Sequence, residues 1–461
     1  MATRFEQDSL GRKRVPTAAY YGIQTLRAVE NFPISGLRLP VEMIRAYGLI
    51  KKAAAAANAQ AGRLERRKAR AIMRACDEVL RGRFDNQFVV DVYQAGAGTS
   101  YNMNANEVIA NRANELLGAR RGTYRFIHPN DHVNMAQSTN DTFPTAMQLA
   151  CLMTLPRFVD AATELERALQ RKARQFEGVV KSGRTHLQDA VPVRLGREFG
   201  AYALAVRKAR RAVEQSARAL TELNLGGTAV GTGMNAFPRY RRLAIRALRQ
   251  WTRLPLRPAQ HLMERMQSTA DFARLSGSLR AYALELIRIA NDLRLMSSGP
   301  HTGLGEIELP ALQPGSSIMP GKVNPVMAEL VDMVSFQVLG HDTTVAYATQ
   351  AGQLELNVMM PVIAYNILQP MRLLANASQV FAVRCVGGIT ANRQRCEALA
   401  QRSLALITAL APAIGYLNAA TIAKESLKTG RPIQALVVAH RLLDAKSAKR
   451  LLDPHRLSRS V

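Results

Sequence analysis

The sequence predicts a mainly α protein built on a long central helical bundle, with a small domain at each end, and three observations carry that reading. Apolar residues recur at steps of three and four along Phe272, Leu275, Leu279, Tyr282, Leu286, Ile289, Leu293 and Met296, marking one face of a helix for roughly seven turns. Phe158, Ala162, Leu165, Leu169 and Phe176 repeat the pattern, as do the alanine-rich stretch 199–223 and the stretch 326–345. No strand-like alternation separates these stretches, and long helices with small alanine contacts pack nearly antiparallel.

The 461 residues, 48% hydrophobic and 21% charged, suffice for a sizeable core and for two or three domains. No apolar run approaches the roughly 18 residues of a membrane span, and the opening MATRFEQDSLGRKR has no apolar stretch of the signal-peptide kind. The expectation is a soluble, cytoplasmic protein with no membrane partner. Cys76, Cys151, Cys385 and Cys396 are too few and too scattered for a disulfide framework, and no Cys/His cluster has metal-ligand spacing. They read as buried free thiols, and no metal is expected.

The 62 Lys+Arg against 35 Asp+Glu leave a net charge of +27, a balance that would suit a polyanion binder. The basic residues cluster over 63–74, with Arg66, Arg67, Lys68 and Arg70, and over 239–257, with Arg241, Arg242, Arg246, Arg249 and Arg253. Both clusters sit among apolar residues at helical spacing and read as solvated helix faces. With 6% aromatic residues, a single Trp251 and no zinc-finger or RGG signature, sequence-specific nucleic-acid binding is not expected. A non-catalytic basic scaffold that binds polyanions is the rival reading.

Along the chain, polar or glycine-rich segments punctuate the helices at 94–106, 130–141, 183–192, 226–235 and 299–325. Such composition argues against core, so these are expected to be surface loops on a rigid scaffold, where chemistry usually sits. Boundaries near 139 and 394 divide the chain into an N-terminal domain (1–139), a central bundle domain (140–394) and a small C-terminal helical domain (395–461). The stripe from Phe272 to Met296 is longer than small end domains could cover, so it is expected to meet partner helices in a homotetramer.

The densest polar segment runs Gly315-Ser316-Ser317-Ile318-Met319-Pro320-Gly321-Lys322-Val323-Asn324-Pro325, just before a helix. Its glycines allow a ligand close to the backbone, and its N–H groups together with Lys322 form an anion receptor. A second run, Gly96 to Glu107, carries Thr99 and Ser100 followed by Asn102, Asn104 and Asn106; no GxxxxGK[ST] phosphate loop occurs there or at 226–233. Ser138-Thr139-Asn140-Asp141 is equally a helix cap, and Thr185-His186 lies in a fourth run. Together the four supply hydroxyls, amides, one histidine and one lysine, which suits a small anionic substrate processed without a cofactor.

At this point the sequence resembles the aspartase/fumarase superfamily, whose signature GSSxMPxKxN stands at 315–324, and the resemblance runs from about Tyr20 to about Leu452. It implies an aspartase/fumarase-like fold with the three domains above, a homotetramer with active sites shared between subunits, and no cofactor. Tyr93-Gln94 with 96–100, Ser138 to Asp141 and Asn324-Pro325-Val326 resemble the ammonia-eliminating branch, which converts L-aspartate to fumarate, more than the fumarate hydratases, the alternative activity. Met360 and His301 depart from the pattern: Met360 stands where Glu or Arg is usual, and His301 where Arg is usual.

The resemblance also assigns roles. Ser316 is the base, acting as an alkoxide. Thr99, Ser138, Thr139 and Ser317 converge on the carboxylate that gains charge as an enediolate. Lys322, Asn324 and Thr185 hold the other carboxylate, Asn140 and His186 face the amino group, and Glu329 pairs with the histidine.

Overall fold

The structure is a computed structural model describing residues 2–459. The chain opens with the antiparallel pair β1 (Thr3–Asp8) and β2 (Gly11–Pro16), then the helices α1 (Ile23–Asn31), α2 (Val41–Gln60), α3 (Arg66–Leu80) and α4 (Thr99–Leu116). The long α5 (Thr139–Gln175) leads to the hairpin β3 (Val180–Thr185) and β4 (Gln188–Arg194), followed by α6 (Leu195–Ala217). Next come β5 (Glu222–Leu223), α7 (Tyr240–Thr252), β6 (Arg257–Pro258), α8 (Glu264–Gln267), α9 (Ala270–Met296), β7 (Ile307–Glu308), α10 (Val326–Gln350), α11 (Met360–Val380) and β8 (Thr390–Ala391). Short helices close the chain: α12 (Arg393–Arg402), α13 (Ala411–Ile414), α14 (Tyr416–Thr429), α15 (Ile433–Ala439), α16 (Ala445–Leu451) and α17 (Pro454–Leu457).

The chain forms two compact units, one of Met1–Val159, Arg211–Ala283 and Phe336–Leu374, the other of Asp160–Arg210, Leu284–Ser335 and Ala375–Val461. Each of α5, α6, α9, α10 and α11 contributes a segment to both. The first unit has an aromatic centre in which Tyr101 lies against Tyr47, Phe88 and Phe143. In the second, Phe176, Phe199 and Tyr202 stack edge to face, and Leu406, Leu410, Ile422, Leu436 and Val437 form a separate small core. All four cysteines are buried and free.

Three expectations change. The segment 94–106 is no surface loop: α4 starts at Thr99 and buries Asn102, Asn104 and Asn106. The reason is that its amides stand in for missing backbone partners. Asn104 accepts from the N–H of Val89 and donates to the carbonyl of Gln87, Asn111 does the same for Gly122 and Tyr20, and Glu107 accepts from the N–H groups of Gly22, Gln24 and Thr25. Those irregular segments would otherwise bury unpaired polar groups.

The segment 183–192 is likewise a hairpin, not a loop. The apolar stripe from Phe272 to Met296 is covered by the chain itself, every member being at most 5% exposed, so it carries no argument for partner helices. That argument passes to α10, where Met333, Phe336, Gly340, Thr343 and Tyr347 lie exposed at steps of three and four, an uncharged face about 21 Å long.

Candidate active site

In the first unit, the candidate residues stand at two helix starts. Thr99 is exposed as the first residue of α4, and Gly98 before it holds φ +83°. A Cβ at Gly98 would lie 2.0 Å from the Phe143 ring, so only glycine turns the chain into α4 here.

At the start of α5, the backbone N–H of Asn140 donates to Ser138 Oγ and that of Ser138 donates to Asp141 Oδ1, a reciprocal helix cap. Asn102 of α4 donates to Thr139 Oγ1 at 3.1 Å, which ties the two helix starts together. Asn140 donates to the carbonyl of Ala229.

Behind this cap lies a pair of buried charges that the sequence did not single out as functional. Asp141 Oδ2 accepts from the N–H groups of Gly226 and Thr228. Burial lifts its carboxyl to about 6, opposed by those N–H groups, that of Ser138 and the charge of Lys51. Lys51 Nζ, fully buried, donates to Asn102, Asn134 and Gln137, and burial pulls its ammonium down to about 7, with Asp141 pulling the other way. Lys51, beside Lys52 and just before the alanine run 53–57, gives no local sign that three amides wait for it.

In the second unit, Thr185 and His186 sit at the exposed tip of the β3–β4 hairpin. His186 and Leu187 both hold positive φ, 55° and 60°, as a tight two-residue hairpin turn demands. Non-glycine residues held so cost on the order of 1 kcal/mol or more each. The stem is anchored by buried charge: Glu306 takes Arg184 at 2.8 Å and Lys181 at 3.1 Å, and Lys181 also reaches Glu198 at 3.0 Å.

The signature segment folds into a closed turn. The N–H of Gly315 donates to the carbonyl of Lys322, and Asn324 Nδ2 donates to the carbonyl of Gly315. A Cβ at Gly315 would lie 2.6 Å from the Lys322 carbonyl. Inside the turn, Ser316 Oγ accepts from the N–H of Ile318 at 3.2 Å and of Met319 at 3.0 Å. Lys322 and Ser317 are exposed, and Glu329 lies in the first turn of α10. No bond joins His186 and Glu329 within the chain among the described residues.

A serine oxygen that accepts two backbone N–H groups thus stands in a glycine-closed turn just before a long helix of a mainly helical chain. Residues 11–340 match the family described as Lyase, and residues 406–459 the one described as Fumarase C C-terminus. The chain is 48% identical to the aspartate ammonia-lyase of Bacillus subtilis (strain 168), over 99% of this chain and 96% of that one. A fumarate lyase:delta crystallin from Brucella melitensis, solved bound to cobalt, shares 51% identity over the whole of both chains with a TM-score of 0.96. The class II fumarase of Schistosoma mansoni shares 37% identity over 99% of each chain with a TM-score of 0.97. The chain belongs to the aspartase/fumarase superfamily.

Proposed function

We propose that the chain removes ammonia from L-aspartate to give fumarate, and the observation that carries the reading is the environment of Ser316. An oxygen that receives two N–H groups is better stabilised as an anion than as a neutral hydroxyl. In this reading the Ser316 alkoxide takes the proton from the carbon beside the side-chain carboxylate. The electron pair moves into that carboxylate, giving an enediolate, and returns to form the carbon–carbon double bond as the C–N bond breaks and neutral ammonia leaves with that bond's electron pair. The substrate's amino group is already protonated, so it leaves as neutral ammonia and no acid is needed at that step.

Thr99, Ser138, Thr139 and Ser317 are assigned to the carboxylate as it gains charge, where prepositioned donors lower the barrier most. Lys322, Asn324 and Thr185 are assigned to the other carboxylate, Asn140 and His186 to the amino group, and Glu329 to His186. The strained tip at His186 supports this placement, since such strain collects at functional sites. Hydration of fumarate is the alternative activity, disfavoured by the higher identity to the aspartate ammonia-lyase.

The same reading makes the chain a cytoplasmic homotetramer whose active sites draw residues from different subunits, with domains at 1–139, 140–394 and 395–461. The exposed, uncharged face of α10 supports assembly. The openness of the Ser316 turn, with Ile318 83% exposed, supports walls supplied by another subunit. No helix among the described residues is long and apolar enough to cross a membrane.

Ultraviolet absorbance tests the activity, because fumarate absorbs where its saturated precursors do not. Absorbance should rise when aspartate is added. A rise with malate and none with aspartate would make the chain a hydratase, and no rise with either would leave the basic scaffold.

A further inference from the structure

The basic clusters lie on two helices that flank a third. Both α3 and α7 pack on α2, and Lys52 of α2 reaches both: its Nζ lies 2.6 Å from Asp77 of α3 and 4.6 Å from the ring centroid of Trp251 of α7. At the other end, Arg63, just before α3, and residues 235–238, just before α7, line one cavity of about 480 Å³ with Asn58. The two helices therefore run in the same sense along the sides of α2. Between them α2 offers a half-exposed floor of Leu49, Lys52, Ala56 and Ala59, again at steps of three and four.

Arginines form the rims. Arg242, Arg246, Arg249 and Arg253 follow one face of α7 and its C-terminal end for about 16 Å, and Arg66, Arg70 and Arg74 follow one face of α3 for about 12 Å. All seven are exposed, and none has an ion pair or side-chain hydrogen bond among the described residues. Nor do the helices hold acids that would neutralise them. α7 has none, and the two of α3, Asp77 and Glu78, are taken by Lys52 and Arg112. A solvated amphipathic helix ordinarily mixes both signs on its polar face; here one sign is concentrated on two rims of one groove.

We propose that this groove holds duplex DNA by its phosphates, independently of base sequence. The charge is complementary, since a duplex carries about one negative charge per 1.7 Å of axis. The rims are guanidinium groups, which clasp phosphate in pairs of hydrogen bonds. Of the rings at the groove, Trp251 is covered by Lys52 and Phe237 packs against the Tyr240 ring, which disfavours single strands, whose binding leans on stacking. The half-exposed floor of Leu49, Lys52, Ala56 and Ala59 offers no amide or carboxylate to base edges, so the rim contacts fall on phosphates and position the duplex without specifying it.

The test uses the full-length protein and labelled 20-base-pair duplexes of two unrelated sequences, with fluorescence anisotropy from about 50 to 300 mM salt. Both duplexes should bind alike. The variant Arg242→Gln/Arg246→Gln/Arg249→Gln should bind at least about tenfold more weakly at 100 mM salt. Its slope of log affinity against log salt should be shallower by about 3, near 0.9 for each lost phosphate contact. A control, Lys446→Gln/Lys449→Gln/Arg450→Gln, removes the same charge from exposed positions of α16 and should stay within about threefold of the parent. Unchanged thermal midpoints show that both variants fold. The proposal falls if the control weakens binding as much as the α7 variant, if the parent fails to bind at 50 mM salt, or if a single strand of equal length outcompetes the duplex.

Discussion

Replacing Ser316 by alanine separates chemistry from structure. The substitution removes one oxygen, and with it the acceptor for the N–H groups of Ile318 and Met319. Both residues are exposed, at 83% and 48%, so water takes over those donors. With hydrogen bonds worth about 1 kcal/mol each net, the two together set a ceiling of about 2 kcal/mol on lost stability, confined to a surface turn. The kinetic effect should be far larger. Losing a positioned base costs about 100- to 10,000-fold, and about 1.36 kcal/mol on the barrier accounts for each tenfold. Turnover should fall by at least about 100-fold, or about 3 kcal/mol, while the thermal midpoint and the assembled mass stay those of the parent. Initial rates of fumarate absorbance with saturating aspartate measure the first, and calorimetry with light scattering the others. Turnover within about tenfold of the parent would refute the assignment of Ser316 as the base.

Three further outcomes follow from the same geometry. Asp141 holds its proton more tightly folded than unfolded, with a pKa of about 6 against an ordinary 3.8. Its contribution to stability is therefore complete below about pH 4 and lost as pH rises through 6, about 3 kcal/mol in all. Chemical denaturation of Asp141→Asn should lack that fall, and a pH profile identical to the parent's would contradict it. Gly98→Ala forces a Cβ to 2.0 Å from the Phe143 ring at a φ of +83°, so it should cost more than about 2 kcal/mol and displace Thr99; an unchanged denaturation midpoint would count against this. Light scattering should give about four times the 50.7 kDa of one chain, and Phe336→Glu on the exposed face of α10 should lower it. An active parent of single-chain mass would defeat the tetramer.

What the sequence by itself determined is what near neighbours encode. The spacing from Phe272 to Met296 was enough to read a long helix, because a helical face is built from residues three and four apart. Gly315, Pro320, Gly321 and Pro325 were enough to read a loop, because they restrict or free the backbone where they stand. The signature within that loop, quoted residue by residue, was enough to read the family.

Only the tertiary structure decided where polar residues go. Asn102, Asn104 and Asn106 look like loop residues by composition, yet α4 buries them, because their partners arrive from Thr139, from 87–89 and from Asn134. The turn at His186 and Leu187 carries no Asn-Gly signal, and its positive φ values are imposed by a hairpin whose stem is clamped by Glu306, more than a hundred residues away. Lys51 looks solvent-facing beside Lys52, yet Lys51 is buried against three amides while Lys52 bridges two helices. Burying a polar group is tolerable only when a partner meets it, and whether one does depends on segments distant in the chain.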